Sequence, residues 1–365
     1  MTKRKKWDKS RPDTKAKVDE IVHGVFVMEG TMVAIPTHFP GTTAPIPSDE
    51  GHITALDSAE DGSIYGGTSG RAAHVFVGMF HGVTGMVFDL GSFPDSGNCP
   101  AICCADGKVV AAVNGKGGGR LVSRNYQPLP FDLLQEWGFS RIHFDEIGTP
   151  APGELIVDAK TVPSGKTILC STETGLHLAR VAEGGVEGVG EIQGRGRIGL
   201  GSNGGLFGSG DGLTLWRFDE KEGLDENWCE LPGGGWENGV SIWAKNPVSG
   251  LQYVADSSGR LFSFDEENGF SEELGRTDLA PIGAMAVTFD GRLFGSCGNG
   301  VSRLFTYDPA VGKVADLGIA VSLFERRRYG YQFGAATVGR DGEIVFGEND
   351  DLGHVWLYFP KVIRR

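Results

Sequence analysis

Seven times this chain sets a glycine directly after Asp, Ser or Asn between two short apolar runs: Gly62, Gly107, Gly165, Gly204, Gly250, Gly291 and Gly342. Asp-Gly and Asn-Gly between such runs signal β-hairpins, because type I′ turns need positive φ at both central residues. The glycines recur every roughly 40 to 60 residues, the range of one four-stranded propeller blade. A length of 365 residues would by itself suggest two or more domains, but a repeat of this kind overrides that expectation. Gly at 58 of 365 residues is about double the usual share and suits many tight turns around a common axis.

The units share phrasing as well as turns. Arg303–Asp308 reads Arg-Leu-Phe-Thr-Tyr-Asp and is followed by Lys313–Gly318, Lys-Val-Ala-Asp-Leu-Gly; Arg260–Asp265 reads Arg-Leu-Phe-Ser-Phe-Asp, and Phe270–Gly275 again ends in Leu-Gly. His74–Phe80 with Met86–Gly91 is the first unit's version. Alternating apolar residues place one face of each strand against the neighbouring blade. These runs place an all-β, seven-bladed β-propeller at about 52–92, 98–139, 153–192, 194–232, 236–277, 280–318 and 329–359, with an insertion near 126–152. Phe131–Trp137 is the one short helical candidate. Blade seven shows three strands of its own, Gly334–Val338, Glu343–Gly347 and His354–Phe359. Either Glu20–Val27 or Met32–Ile35 is expected to supply the fourth strand, zip the ring shut and remove an open edge. Two separate sandwiches are the alternative all-β reading; seven matching units without a linker favour one ring spanning 20–362, behind a basic disordered tail at 1–19.

Charge and cysteine usage narrow the partners. A net charge of −13 and a pI near 5.1 argue against general attraction to nucleic acid or anionic membranes. The exception is the cluster of Lys3, Arg4, Lys5, Lys6, Lys9 and Arg11, read as a solvating tail, with a polyanion-binding arm as the sharper alternative. No apolar segment approaches the 18 residues of a membrane span, and the basic start lacks the apolar core of a secretory signal. Cys99, Cys103, Cys104, Cys170, Cys229 and Cys297 show no paired C-x-x-C spacing and read as reduced thiols of a cytoplasmic protein. Zinc at Cys99 and Cys103 would need two further ligands that the neighbourhood does not offer.

Chemistry in a propeller is expected at the mouth where loops into the innermost strands meet those between second and third strands. Blade seven is the richest there. Arg326, Arg327 and Arg328 suit planar recognition of a carboxylate or phosphate. Tyr329 and Tyr331, alternate residues of an extended segment, offer stacking faces and hydroxyls on one side, followed by Gln332. The plainer reading pairs the arginines with Glu325, Asp350 and Asp351. Glu348, Asp350 and Asp351 could ligate a divalent cation, but their spacing lacks the EF-hand pattern and a solvated acidic turn is preferred. His354 opens a strand, where a histidine is usually structural. Blade one answers with His52, Arg71 and His74, the last two in or beside a Gly-rich loop that opens no helix and fits no P-loop. Trp236, Glu237 and Asn238 lead into blade five as a carbohydrate platform or as interblade packing. His143, Asp145 and Glu146, in the insertion before blade three, form a tempting acid–base group without fixed spacing. No triad order, nucleophile elbow, H-E-x-x-H or dinucleotide fingerprint appears.

The Gly-His and Trp-Asp phrases of WD40 units are absent. The run Tyr307-Asp308-Pro309 through Gly312-Lys313-Val314 to Asp316-Leu317-Gly318 resembles instead a propeller superfamily that includes bacterial sugar-related proteins and the propeller polysaccharide lyases. That resemblance covers most of the chain but is carried by blade phrasing. It implies binding or processing of an acidic or oxidised sugar or oligosaccharide, by β-elimination if the protein is an enzyme. Such chemistry asks for a cation at the substrate carboxylate, a base for the adjacent C–H and an acid for the leaving oxygen. Arg328 or Arg327, His74 or His52, and Tyr329 or Tyr331 have the side chains for those roles; Arg71, Trp236, Glu237, Asn238, Gln332 and His354 would contact the substrate. No lyase catalytic motif or His-rich metal cluster matches here. The rival reading is a non-catalytic platform whose mouth binds a protein partner or ligand.

Overall fold

The computed structural model describes residues 30–37, 46–126, 143–210, 213–236, 238–323, 328–351 and 353–361. All seven hairpin glycines join the first and second strands of a sheet, and all have positive φ, from 70° to 97°. The turn chemistry differs from the type I′ expectation at six of them. Only Asp106-Gly107 carries positive φ at both residues, Asp106 at 51°, in the two-residue loop between Ser96–Ala105 and Lys108–Gly115. Elsewhere the loop is longer, and in most the glycine N–H closes a turn onto the carbonyl three residues back, as Gly62 does onto Ala59, Gly165 onto Val162 and Gly291 onto Thr288. A type I turn needs the left-handed glycine only at its end.

Seven antiparallel sheets follow one another around an axis. Their innermost strands are His52–Ser58, Ser96–Ala105, Ile156–Thr161, Arg195–Leu200, Ile242–Lys245, Ile282–Val287 and Phe333–Val338. Blade five splits its outer edge into two short pieces, Gly269–Phe270 and Gly275–Arg276. Blade two differs from the sequence expectation. Its fourth strand is Asp145–Gly148, so the insertion interrupts the blade between third and fourth strands instead of separating two blades. The helical candidate at 131–137 lies outside the described residues.

Packing shows why the ring holds. Seven buried apolar clusters occupy the seven interfaces between successive sheets. In Lys108–Gly115, Val109, Ala111 and Val113 face blade one while Val110 and Ala112 face blade three. That is the two-residue period of a strand buried on both sides. Closure is made by Gly30–Pro36, antiparallel to His354–Pro360, with Val33 opposite Leu357 and Ala34 opposite Trp356. Val33 packs towards blade one, Met32 and Ala34 towards blade six. Of the two expected closing segments, 32–35 makes the strand; 20–27 and the 1–19 tail lie outside the described residues.

One device recurs at the axis. In every blade but the fifth, pairing of the innermost strand with the second shifts register near its start, as between Ile53 and Ala55, Arg195 and Gly199, and Phe333 and Ala335. A bulge re-aims the extra residue. Thr54, Pro100, Arg197, Gly283 and Gly334 all sit in such shifts, and all line a central cavity of about 520 Å³.

Candidate functional site: the mouth and the axial cavity

The chain's two ends bring blades one and seven together at one mouth. In blade one, the short helical turn Ser48–Glu50 delivers a buried Glu50 beneath the start of the third strand. His74 bonds through Nε2 to Glu50 Oε2 and through Nδ1 to Asp89 Oδ2, both at 2.8 Å. Burial alone would lower the imidazole pKa; the Asp89 and Glu50 carboxylates outweigh it and raise the pKa. Burial likewise works against the Glu50 charge, yet the His74 and Arg71 partners hold its pKa below the usual range. Arg71 donates from Nε to Glu50 at 2.7 Å and lies 3.6 Å from Asp49. His74 and Arg71 are thus engaged in pinning this loop.

Blade seven repeats the construction with different groups. The His74 N–H donates to Thr68 Oγ1 at 3.1 Å; the His354 N–H donates to Glu348 Oε2 at the same distance. Glu348, 0% exposed, also accepts from Arg328 at 2.8 Å and lies 3.1 Å from His354 Nδ1. Its other oxygen, and Oδ1 of Asp350, are buried without a hydrogen-bond partner among the described residues. Burial, then the Glu348 charge, pushes the Asp350 carboxyl up to about 6. Asp351 turns the other way and pairs with His52 Nε2 at 2.9 Å. The three carboxylates therefore do not converge. Among the described residues no group of three or more His, Cys, Asp or Glu side chains is arranged to hold a metal ion.

The remaining expected residues scatter. The Tyr329 and Tyr331 rings lie 6.4 Å apart on one side of their segment, and Tyr331 is 43% exposed. Gln332 borders the axial cavity. Trp236 is 2% exposed, donates from Nε1 to the Pro232 carbonyl and packs on Phe262 and Phe270, so this indole is interblade packing and not a platform. Asn238 is exposed beside it, while Glu237, Arg326 and Arg327 lie outside the described residues. Asp145 and Glu146 sit on the outer strand of blade two; His143 and Asp145 pair at 3.3 Å, exposed and far from the axis.

The axial cavity is lined mainly by residues the sequence reading passed over. Arg197 of blade four reaches across it, donating to Asp158 of blade three at 3.0 Å, the Pro100 carbonyl of blade two and the Thr54 carbonyl of blade one at 3.4 Å. The second Asp158 oxygen accepts the Ile198 N–H at 2.7 Å. Trp243 donates its indole N–H to the Arg197 carbonyl at 2.8 Å and lies flat on Gly199, where a Cβ would stand 2.3 Å from the ring. Lys160, Lys245, Gln252, Asn299 and Asn349 are further polar residues of the lining. Arg197 and Asp158 cancel and Lys160 interacts with the buried Asp57 carboxyl behind the lining, which leaves Lys245 as the lining's excess positive charge in an acidic protein. One signal could have pointed to some of these residues: two charged side chains in one innermost strand, Ile-Val-Asp-Ala-Lys-Thr at 156–161, although Asp57 in His52–Ser58 shows that such a side chain need not line the channel.

Fold and site together define a seven-bladed β-propeller with a polar axial cavity opening on a mouth built by its first and last blades. No protein-family model and no curated protein matches the sequence. Among solved structures, the chain is similar to streptogramin B lyase, with a TM-score of 0.67 at 12% identity over 92% of this chain and 99% of that one. It is also similar to the extracellular domain of the one-component system BT4673 from B. thetaiotaomicron, with a TM-score of 0.60 at 12% identity over 89% of this chain and 39% of that one. A second structure of a BT4673 extracellular domain, described as a hybrid two-component system, matches with a TM-score of 0.61 at 11% identity, 92% of this chain and 40% of that one. At such identities the likeness concerns the fold. No helix among the described residues is long and apolar enough to cross a membrane.

Proposed function

We propose that this propeller binds a small acidic carbohydrate in the axial cavity and acts on it by β-elimination. The observation that carries the reading is the positive, amide-rich lining of that cavity, with one indole face, inside a chain of net charge −13. A cavity of one sign within low-dielectric walls focuses its field on an oppositely charged ligand. Trp243 supplies the apolar face a sugar ring stacks on, and Gln332, Asn299 and Asn349 offer amides to its hydroxyls. Elimination as the reaction is supported by the lyase among similar folds.

In that reaction a base takes the proton on the carbon beside the carboxylate, the electron pair forms the C=C bond, and the glycosidic oxygen leaves as an acid protonates it. His52, partly exposed and oriented by Asp351, suits the base better than the doubly bonded His74. Tyr331, or Asp350 with its raised pKa, suits the acid. Six free thiols, four of them buried, support a reducing, cytoplasmic setting.

The test is incubation with uronate oligosaccharides beside neutral ones of the same length. Calorimetric binding of the uronates alone, with an unsaturated product detected by its ultraviolet absorbance, is expected. Equal binding of neutral sugars would remove the charge argument. Binding without product would leave a non-catalytic platform.

A further inference from the structure

A second hollow lies beside the axial cavity on the mouth face. This groove holds about 810 Å³ and is walled by three blades: Arg71 of blade one, residues 94–98 and 114–120 of blade two, and Thr149 with Leu155 on the way into blade three. Asn98 joins the two spaces. Its Oδ1 accepts the Ser69 hydroxyl at 2.9 Å, and Ser69 Oγ lies 2.8 Å from Thr54 Oγ1. Thr54 lines the axial cavity, as does Pro100, two residues beyond Asn98 on the same strand. His52 is the strand partner of Ser69, so the proposed base stands on the same rim.

Three residues of the groove keep donors that the protein does not use. Arg71, its side chain 70% exposed, spends only Nε, on Glu50 and near Asp49. Among the described residues neither of its terminal nitrogens makes a hydrogen bond, which leaves the end of the guanidinium fork open. Lys116 is exposed and has no ion pair among the described residues. Asn98 accepts through its oxygen and keeps its amide nitrogen. Neighbouring carboxylates do not cancel this set. Asp95 is spent on Arg120, at 2.9 and 3.0 Å, and Glu50 and Asp49 balance Arg71 from behind, so Lys116 is the excess cation.

We infer that this groove is an oxyanion subsite, in which the Arg71 fork, the Lys116 ammonium and the Asn98 amide hold the acidic group of a sugar next to the one in the axial cavity. For the sugar chain this rests on the carbohydrate reading; the anion site itself does not. Asn98 and Pro100 stand about 7 Å apart on an extended strand, so a disaccharide reaches from one space to the other. The substrate is thereby narrowed to a chain with acidic groups on adjacent sugars.

Inorganic sulfate, in equilibrium dialysis at constant ionic strength against chloride, tests the subsite without any sugar. One saturable site is expected. Arg71→Lys keeps the charge and a pairing with Glu50 but loses the fork, and Lys116→Met removes the excess cation. Each should weaken sulfate about fivefold, the size of an exposed charge-assisted bond. Gly117→Glu should abolish binding by adding a carboxylate to the lining. No atom stands within 4 Å of a Cβ there and the φ lies outside the left-handed region, so this variant should fold. Lys313→Met, on the outer strand of blade six, should leave sulfate unchanged. Unsaturable sulfate, or equal affinity in wild type and all three groove variants, would overturn the subsite. By calorimetry, a diuronate should bind wild type several-fold more tightly than the monouronate, and Gly117→Glu should remove that gain while leaving the monouronate unaffected. No such gain, with the sulfate site intact, would overturn the assignment to the sugar chain. Sulfate held in the groove while no uronate binds would keep the subsite and defeat the carbohydrate reading.

Discussion

Side chains at the mouth and axis are held by partners, and the partners set what a substitution or a change of pH will do. Asp350 is the sharpest case. Burial and the neighbouring Glu348 charge raise its carboxyl to about 6, against 3.8 for the group unperturbed. A carboxyl whose folded pKa is raised favours the folded state while protonated, and that advantage is lost as pH rises through the folded value. Asp350→Asn should match wild type near pH 4 and exceed it at pH 8 by about 1–2 kcal/mol, after allowance for partial solvent screening. Urea unfolding at the two pH values checks this. His74 also has a raised pKa, so its contribution is full below its unfolded pKa and falls away as pH rises through the folded one; Glu50, with a lowered pKa, is weakened as pH falls through its own. Gln252→Leu should add about 1 kcal/mol of stability in the same assay by removing an unpaired buried amide. Little of this was legible in the sequence. Residue types marked His52, His74 and Arg328 as polar groups in mouth loops, but nothing local to His74 told that Glu50 and Asp89 would take both its nitrogens. Those contacts span 24 and 15 residues and exist only once the loop folds over the third strand.

Strands and turns were far more readable, because their signals are local. Each of the seven glycines picked out between short apolar runs marked a real link between first and second strands, since only glycine takes positive φ without steric cost. The turn type was misjudged at six of seven because a two-residue loop and a longer one share the same final glycine. Gly165 tests the backbone argument cleanly: φ is 72° and a Cβ there would meet nothing within 4 Å. Gly165→Ala should therefore cost about 1–2 kcal/mol from conformation alone, and Gly165→Asn distinctly less, because Asn tolerates the left-handed region. Chemical denaturation of the two variants checks the order. The bulges near the starts of the innermost strands were invisible in the sequence, since an extra residue in a strand has no composition of its own. Yet they put Arg197 into the channel. Arg197→Met leaves Asp158 with only its backbone donor, and should cost about 2–3 kcal/mol, below the range for fully buried pairs because the guanidinium is partly open to the cavity.

At the scale of the whole molecule, stability depends on a closed circuit. Each sheet is covered on both faces by its neighbours, so no blade is an end, provided that Gly30–Pro36 stays on His354–Pro360. Sequence periodicity gave seven units and their order; it could not choose between two closing segments, because closure joins residues more than 300 positions apart. Val33 is the place to test it. Its side chain is buried between blades seven and one, with Ile53, Val345 and Val355 in the same cluster. Val33→Asp would bury a carboxylate there without a partner, at a cost of at least about 3 kcal/mol, or would expel the strand and leave His354–Pro360 as an open edge. Because the mouth is assembled across this seam, through His52–Asp351 and the hydroxyl of Thr37 on the Gly353 carbonyl, loss of closure should also abolish ligand binding in the cavity. Val345→Asp damages the same interface from inside blade seven and has no strand to release. A synthetic peptide spanning 28–38 should therefore restore the unfolding midpoint of a chain lacking that segment, and of Val33→Asp, but not of Val345→Asp. Equal rescue of all three, or of none, would mean that the ring does not depend on this one strand.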